Sequence, residues 1–167
     1  MAEESQTERD MKFALAGESQ ARRKYKAFGE KAKEEGYTQV AKLFKAAEMG
    51  ETIHSGYFLN KLGQVKKTKE NLQAAVDGET YEANKVYPAM MDDAEAEGRE
   101  DVKTYVGFVR DVEALHARLF KEALDNLGKN KEVDYYICGG CGAVTEGKPD
   151  KCPVCGAPGA KFVKVEI

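Results

Sequence analysis

Two histidines are the most informative residues of this chain. Each follows a glutamate by three positions, in Glu51-x-x-His54 and Glu113-x-x-His116. Residues three apart lie on one face of an α-helix, so the carboxylate and imidazole of each pair point the same way. Glu18 and Glu79 complete the order Glu, Glu-x-x-His, Glu, Glu-x-x-His. That order is typical of a carboxylate-bridged two-metal site inside a four-helix bundle.

These residues also fall on the helix stripes that should face the bundle core. In the second segment, steps of four and three lead from the apolar Val40 and Phe44 to Glu51 and His54. A buried, unpaired carboxylate is strongly disfavoured, so acids at such positions indicate a shared cation. Solvated helix faces could explain single glutamates in a chain that is 33% charged. They explain a whole ligand set in register much less well.

The charge of the ligand set predicts two divalent metal ions. Glu82, on the stripe of the third segment, adds a fifth carboxylate to the four glutamates and two histidines. Four positive charges against five carboxylates leave the site close to neutral. Oxygen and imidazole ligands suit iron or manganese.

An internal repeat relates the two halves of the expected bundle. The segment from Gly36 to His54 recurs 62 positions later, whereas the segment from Glu18 to Tyr25 recurs at an offset of 61. This predicts two helical hairpins that each contribute half of a metal site. The offset of 61 pairs the small Ala21 with Glu82, so the extra carboxylate breaks the symmetry of the repeat.

Local signals predict where the helices begin and end. Ser5 and Glu8 form a capping-box pattern. Four glycines are placed as helix terminators, namely Gly36, Gly63, Gly98 and Gly128. We expect helices near residues 5–35, 38–62, 68–97 and 99–127, with a kink or local break at Pro88. The segment from Gly63 to Lys69 is short for the long connection that a ferritin-like bundle needs between its two hairpins. The alternative is that helices are exchanged between the two chains of a homodimer.

All four cysteines lie near the end of the chain. They form Cys138-x-x-Cys141 and Cys152-x-x-Cys155, with ten residues between the pairs. Residues 133–167 are too few for a self-sufficient core, so this module should depend on a metal or on disulfides. We therefore expect an all-α four-helix bundle over residues 1–128, a polar linker over 129–132 and a small metal-binding β module over 133–167.

A metal site is the favoured interpretation of the cysteines. No secretory signal or membrane-spanning run is visible, so we expect a cytoplasmic protein whose thiols stay reduced. One tetrathiolate site also describes two paired motifs in so short a module better than two redox dithiols do. Iron and structural zinc both remain open, because both use loops in which residues such as Gly142 and Gly156 let backbone N–H groups turn toward sulfur.

Charge gives little sign of a polymeric partner. The formal net charge is −3 over 167 residues. The run Arg22-Arg23-Lys24 is most simply the solvated face of the first helix. We expect no nucleic-acid partner and no membrane partner.

Longer motifs surround the candidate ligands. They are GESQAR with Glu18, GETIH with Glu51, GETYEANKVYP with Glu79 and Glu82, and EALH with Glu113. In the tail, YYICGGCG is followed by PDKCPVCGAP. Over almost its whole length the chain resembles the rubrerythrin family. The resemblance implies a ferritin-like bundle with two irons and a C-terminal rubredoxin-like module with one, and Glu82 separates this family from ferritins.

The resemblance also implies ligand roles. Glu51 and Glu113 would bridge the irons, with Glu18 and Glu79 as terminal ligands. His116 would bind the iron that Glu79 holds.

The other iron would change ligands with its oxidation state. By the same resemblance it takes Glu82 when oxidised and His54 when reduced, because ferric iron favours the extra carboxylate and ferrous iron is adequately served by imidazole. Tyr25 and Tyr87 would donate hydrogen bonds to ligand carboxylates. From the residues alone they are equally explained as ordinary core tyrosines.

The activity that this resemblance implies is reduction of hydrogen peroxide to water, with Glu82 as a proton relay. Electrons would come through the four-cysteine iron from a rubredoxin or a rubredoxin reductase, and ultimately from a reduced nicotinamide. Two alternative functions remain. The first is ferroxidation or iron storage, which is disfavoured because it gives no role to the cysteine module. The second is a non-catalytic protein with structural zinc, which would be colourless, whereas a ferric tetrathiolate is red.

Overall fold

A computed structural model describes residues 4–166 of the chain. The described residues form five α-helices, one π-helical turn, one short 3-10 helix (Gly159–Lys161) and a three-stranded sheet. The chain divides into two compact units, Met1–Lys66 and Lys67–Ile167. Among the described residues, no helix is both long and apolar enough to cross a membrane.

The first unit is a hairpin of two helices, α1 (Gln6–Glu34) and α2 (Thr38–Lys61). The predicted capping box is confirmed: the Ser5 side chain accepts from the Glu8 N–H, and the Glu8 carboxylate accepts from the Ser5 N–H. Gly36, with a φ of 84°, ends α1 in the left-handed region that glycine adopts without strain. The rings of Phe28 and Phe44 meet edge to face and join the two helices.

The second unit begins with a helical path that changes character in its middle. It consists of α3 (Thr68–Tyr81), a π-helical turn (Glu82–Val86) and α4 (Tyr87–Ala96), and α5 (Glu100–Asp125) packs along all three. In the π turn, the Tyr87 N–H donates to the carbonyl of Glu82, five residues back. Pro88 follows in the first turn of α4, where its missing N–H costs little. The predicted local break at Pro88 is therefore a π turn.

The π turn explains why the repeat offset changes from 61 to 62. Before the π turn, partly buried residues of α1 match partly buried residues of α3 at an offset of 61 positions: Met11 with Leu72, Ala14 with Ala75, and Leu15 with Val76. After the π turn, the buried Ala32 matches the buried Ala94 at an offset of 62 positions. A π turn holds one residue more than an α turn, so one residue has been added between these two stretches.

The change of offset falls between Glu79 and Tyr87. Ala21 and Glu82, which the offset of 61 pairs, are both partly buried. Tyr25 is partly buried and corresponds to the partly buried Tyr87 at an offset of 62, whereas Val86 at 61 is exposed. The carboxylate of Glu82 therefore still stands where the first hairpin has a small residue.

The C-terminal module is a small antiparallel sheet packed on α5. Its strands are β1 (Tyr135–Cys138), β2 (Val144–Glu146) and β3 (Phe162–Lys164), in the order β2-β1-β3. Antiparallel pairing places Cys138 opposite Phe162. The module's core includes Phe162, the cysteines and the fully buried Ala143, and it continues into Val112 of α5. This contact holds the module against the helix that carries Glu113 and His116.

Candidate metal centres

The first half-site lies in the α1–α2 hairpin. Glu18 of α1 and Glu51 and His54 of α2 offer ligand atoms that all lie within 4.8 Å of one another. The Nδ1 atom of His54 is 2.9 Å from Glu51 Oε2 and 3.7 Å from Glu18 Oε1. The predicted three-residue spacing thus brings imidazole and carboxylate together on one helix face.

The second half-site repeats this arrangement in the other unit. Glu79 of α3 and Glu113 and His116 of α5 also lie within 4.8 Å of one another. The Nδ1 atom of His116 is 3.0 Å from Glu113 Oε2 and 3.9 Å from Glu79 Oε1. Two equivalent groups of two carboxylates and one imidazole are therefore present, one in each unit.

The acids of both half-sites are crowded enough to share protons. A hydrogen bond with Glu51, together with burial, raises the pKa of Glu18, while hydrogen bonds with Glu18 and His54 lower the pKa of Glu51. Burial and then Glu113 raise the pKa of Glu79 to about 7. Like charges at such distances repel, and a cation between them relieves that repulsion. The donor set, carboxylate oxygen with imidazole nitrogen, therefore fits iron.

Glu82 lies beside the second half-site rather than within its compact ligand group. Its charge contributes to the raised pKa of Glu79. Burial raises the pKa of Tyr87, and Glu82 raises it further through its charge and a hydrogen bond. The π turn thus places the extra carboxylate and a tyrosine together at the half-site.

Tyr25 occupies the corresponding place in the first hairpin. Its ring centroid is 6.5 Å from that of Phe28 and 6.1 Å from that of Phe44. These ring contacts pack Tyr25 between α1 and α2.

The two histidines differ in how they are held. The His116 side chain is 23% exposed, and its Nε2 atom lies 3.3 Å from the backbone carbonyl of Gly142 in the cysteine module. With Nε2 protonated, that carbonyl accepts a hydrogen bond and leaves Nδ1 facing Glu113 as a ligand atom. The His54 side chain is 57% exposed, and no backbone carbonyl of the described residues holds its ring in this way. Sequence reasoning missed the role of the Gly142 carbonyl, since nothing in residue spacing signals a contact across 26 positions.

The four cysteines form a closed cage. The Sγ atoms of Cys138 and Cys155 are 3.8 Å apart, and those of Cys141 and Cys152 are 3.7 Å apart. Four tetrahedral sulfurs about 2.3 Å from one metal would lie about 3.8 Å apart, whereas a disulfide brings them to about 2.0 Å. All four cysteines are free of disulfides. The cage therefore fits a tetrathiolate metal ion.

Backbone N–H groups point toward the sulfurs, as the glycine-containing loops predict. The Gly140 N–H donates to Cys138 Sγ at 3.4 Å. Although burial opposes it, the N–H groups of Cys141 and Gly140 bring the pKa of Cys138 down to about 7. Burial raises the pKa of Cys141 to about 12. Four thiolates can therefore coexist here only around a cation.

Ten of the eleven metal ligands predicted from sequence fall into these three groups, and Glu82 is the exception. The groups belong to two different kinds of site. One kind is a carboxylate–histidine site of the diiron type, present as two halves, and the other is a four-cysteine iron site of the rubredoxin type.

Comparison with known proteins gives a consistent result. The Rubrerythrin family model matches residues 11–124. The chain is 34% identical to the Rubrerythrin of Porphyromonas gingivalis over 178 residues, covering 95% of this chain and 89% of that protein. It is 31% identical to Rubrerythrin-2 of Clostridium acetobutylicum, covering 91% and 92% respectively. An alignment of 178 residues exceeds the 167 residues of this chain, so the relative has segments that this chain lacks.

A solved structure supports the fold assignment. The partially reduced state of nigerythrin matches with a TM-score of 0.59 and 28% identity, covering 98% of this chain and 88% of that one. The expected fold class, a ferritin-like helical bundle with a small rubredoxin-like β module, is confirmed. With the family model spanning most of the helical region and both kinds of metal ligand in place, the chain belongs to the rubrerythrin family.

Proposed function

We propose that the protein is a non-haem diiron peroxidase that reduces hydrogen peroxide to water and receives its electrons through the four-cysteine iron. The observation that carries this proposal is the contact between the two kinds of site. His116 of the second half-site lies against Gly142, which directly follows the cage ligand Cys141. Iron storage has no use for such a cage, whereas a peroxidase must be reduced again after each turnover.

We infer that the two half-sites together hold two irons. Glu51 and Glu113 would be the ligands shared by both ions, Glu18 and Glu79 would each hold one ion, and His116 would hold the same ion as Glu79. This assignment is supported by the matched geometry of the two groups, because a bridging residue has to occupy an equivalent place in each. When bound, the two irons supply both electrons that split the O–O bond.

Protons have to arrive together with those electrons. Reduction of one hydrogen peroxide to two waters consumes two electrons and two protons. Glu82 is the proposed relay, because it is the acid beside the ligand group that is not itself part of it. Tyr87 positions the Glu82 carboxylate through a hydrogen bond, and its raised pKa keeps the phenol neutral as a donor. Tyr25, its counterpart in α1, is proposed to have the same positioning role in the first half-site.

The histidines are proposed to have unequal roles. His116, held by Gly142, would remain a ligand throughout the cycle. His54 is the more exposed of the two, and it would serve the reduced site while Glu82 would serve the oxidised site. A loosely held imidazole can turn toward or away from a metal position at little cost, which a ligand exchange requires.

The reducing partner is proposed to be a rubredoxin or a rubredoxin reductase that draws on a reduced nicotinamide. The four cysteines of the cage would hold an iron that accepts one electron at a time from such a donor. We place the protein in the cytoplasm, where its four free thiols would stay reduced until metal binds, and we propose that it works as a homodimer.

The variant Cys138→Ser tests this division of labour. Loss of one sulfur ligand should leave the bundle able to oxidise once with peroxide, while steady-state turnover from a rubredoxin-type donor falls by about 100-fold or more. Stopped-flow single turnover and steady-state assays measure the two rates separately. Lys148→Ser, at an exposed position of the same module, is the matched control and should lose neither.

Two results would contradict the proposal. Undiminished steady-state turnover in Cys138→Ser would make the cysteine cage structural. Faster oxidation of free ferrous iron by dioxygen than turnover of peroxide would instead favour ferroxidation.

A further inference from the structure

We propose that the Lys151 ammonium, which lies over one of the two cysteine loops, raises the reduction potential of the four-cysteine iron. This inference rests on the proposed function for its purpose, which is delivery of electrons to the bundle. It concerns the cage alone, however, and can be measured without peroxide.

The cage is covered unequally by the rest of the module. Cys138, Cys141 and Cys152 are 2%, 8% and 3% exposed, whereas Cys155 is partly exposed. Gly156 follows directly, with a φ of 74° and no side chain to shield the sulfur beside it. The loop from Cys152 to Gly156 is therefore the place where the surroundings of the module act most directly on the cage.

The Lys151 side chain folds back over this loop. Its Cε atom lies 3.3 Å, and its Nζ atom 3.9 Å, from the point where a side chain on Gly156 would begin. The backbone on both sides is fixed: Lys151 pairs with Pro158 in an antiparallel bridge, and the Gly156 N–H donates to the Cys152 carbonyl at 3.1 Å. The ammonium and the loop beneath it are thus held together.

No ion pair explains why the side chain takes this path. Among residues 4–166, no carboxylate lies within ion-pair distance of Lys151, whereas Lys164 of the same module pairs with Asp134 at 2.8 Å. An unpaired lysine usually extends its ammonium into water. The negative charge of the four-thiolate cage is the remaining partner for the Lys151 ammonium.

The sign of the effect follows from the charge of the cage. Four thiolates around ferric iron carry a net charge of −1, and one electron from the donor makes it −2. A neighbouring cation stabilises the −2 state more than the −1 state, so it favours reduction. Because Lys151 is exposed and its charge is screened by solvent, we expect the equilibrium constant for reduction to change only by about 3- to 10-fold.

The test compares three substitutions at Lys151 in the full-length, iron-loaded protein. Lys151→Met keeps a long stem over Gly156 but removes the charge, so the equilibrium constant for reduction of the cage by a reference couple should fall by about 3- to 10-fold. Lys151→Glu should lower it further, and Lys151→Arg should retain the wild-type value. The red colour of the ferric cage, lost on reduction, gives the measurement.

Salt and position supply the controls. The difference between wild type and Lys151→Met should shrink as ionic strength rises from about 0.05 M to about 1 M, because salt screens an exposed charge. Lys148→Met removes the same charge from the same module at an exposed position and should shift the equilibrium much less. Thermal unfolding of each metal-loaded variant checks that the module remains folded.

The possible results separate this inference from the proposed function. Equal reduction equilibria in wild type, Lys151→Met and Lys151→Glu would overturn it, even if peroxide turnover were normal. An equal shift in Lys148→Met would also overturn it, since net charge rather than the place of Lys151 would be responsible. A shift confined to Lys151 in a protein that does not turn over peroxide would support the inference and remove the peroxidase function.

Discussion

The two half-sites use the same residue types and nearly the same distances, yet they hold their ligands differently. The imidazole Nδ1 lies 2.9 Å from its neighbouring glutamate in the first and 3.0 Å in the second. The second half-site has its histidine fixed by Gly142 and an added carboxylate on a π turn, and the first has neither feature. A repeated ligand set can therefore support an asymmetric task, with one half kept rigid and the other free to adapt.

The largest expected effect is loss of bundle iron when either of the two proposed bridging glutamates is removed. Because Glu51 and Glu113 are both proposed to bridge the two irons, Glu51→Ala and Glu113→Ala should each remove most of the bundle iron, to similar extents. Iron per chain after anaerobic reconstitution measures this, with Glu122→Ala on the exposed face of α5 as the control. Loss in only one variant would show that the halves are not equivalent as bridges.

The next largest effect is on peroxidase turnover, and it is expected at the residues in which the half-sites differ, Glu82 and His54. Glu82→Ala should keep its metal, since the symmetric ligand set survives, but lose peroxidase turnover by about 100-fold or more. His54→Ala should instead accumulate the oxidised state, because the reduced site has lost its imidazole. Crystals of the two oxidation states should show iron nearer Glu82 in one and nearer His54 in the other. Normal turnover in Glu82→Ala together with unchanged ligands would refute the switch.

Deletion of Glu82 would make the second hairpin resemble the first. Removing one residue from the π turn lets it become ordinary α-helix while Tyr87 stays in register with Tyr25. The free energy of unfolding should stay the same or rise by about 1 kcal/mol, since the regular hydrogen-bond pattern returns. Denaturant titration measures this against Glu82→Ala, which keeps the π turn. Strong destabilisation would mean that the π turn itself stabilises the second hairpin.

The smallest effect is a difference in pH dependence between the metal-free halves. The pKa of Glu79 is about 7 in the folded protein against an ordinary value of 4.5, so the folded state binds this proton more tightly. Its contribution to unfolding free energy therefore falls as pH rises from about 4.5 to about 7 and stays low above that. Glu79→Gln should remove this fall, measured by denaturant unfolding at pH 5 and pH 8.

The first half-site provides the comparison. The pKa of Glu18 is raised but that of Glu51 is lowered, so their contributions to the pH dependence oppose each other. Glu18→Gln should consequently change the pH dependence less than Glu79→Gln does. A larger change in Glu18→Gln would show that burial does not distinguish the halves.

Much of the site could be predicted because its signals are local. A Glu-x-x-His pair on one helix converges by helical geometry alone, and two Cys-x-x-Cys loops in a short module have few ways to avoid one shared metal. The helix ends near Ser5 and Gly36 followed from capping chemistry for the same reason. The domain limits at residues 128 and 133 remain predictions.

Other features depended on packing between distant parts of the chain. Two offsets, 61 and 62, were visible in the sequence, but only the structure showed that a π turn over Glu82–Val86 separates them.

By itself the sequence determined the ligand types, their helical spacing and the four-cysteine cage, because each follows from covalent neighbours a few positions apart. Only the tertiary structure decided which ligands are held firmly. The Gly142 carbonyl reaches His116 across 26 residues because Val112 joins the module core to α5, and no local pattern encodes that docking.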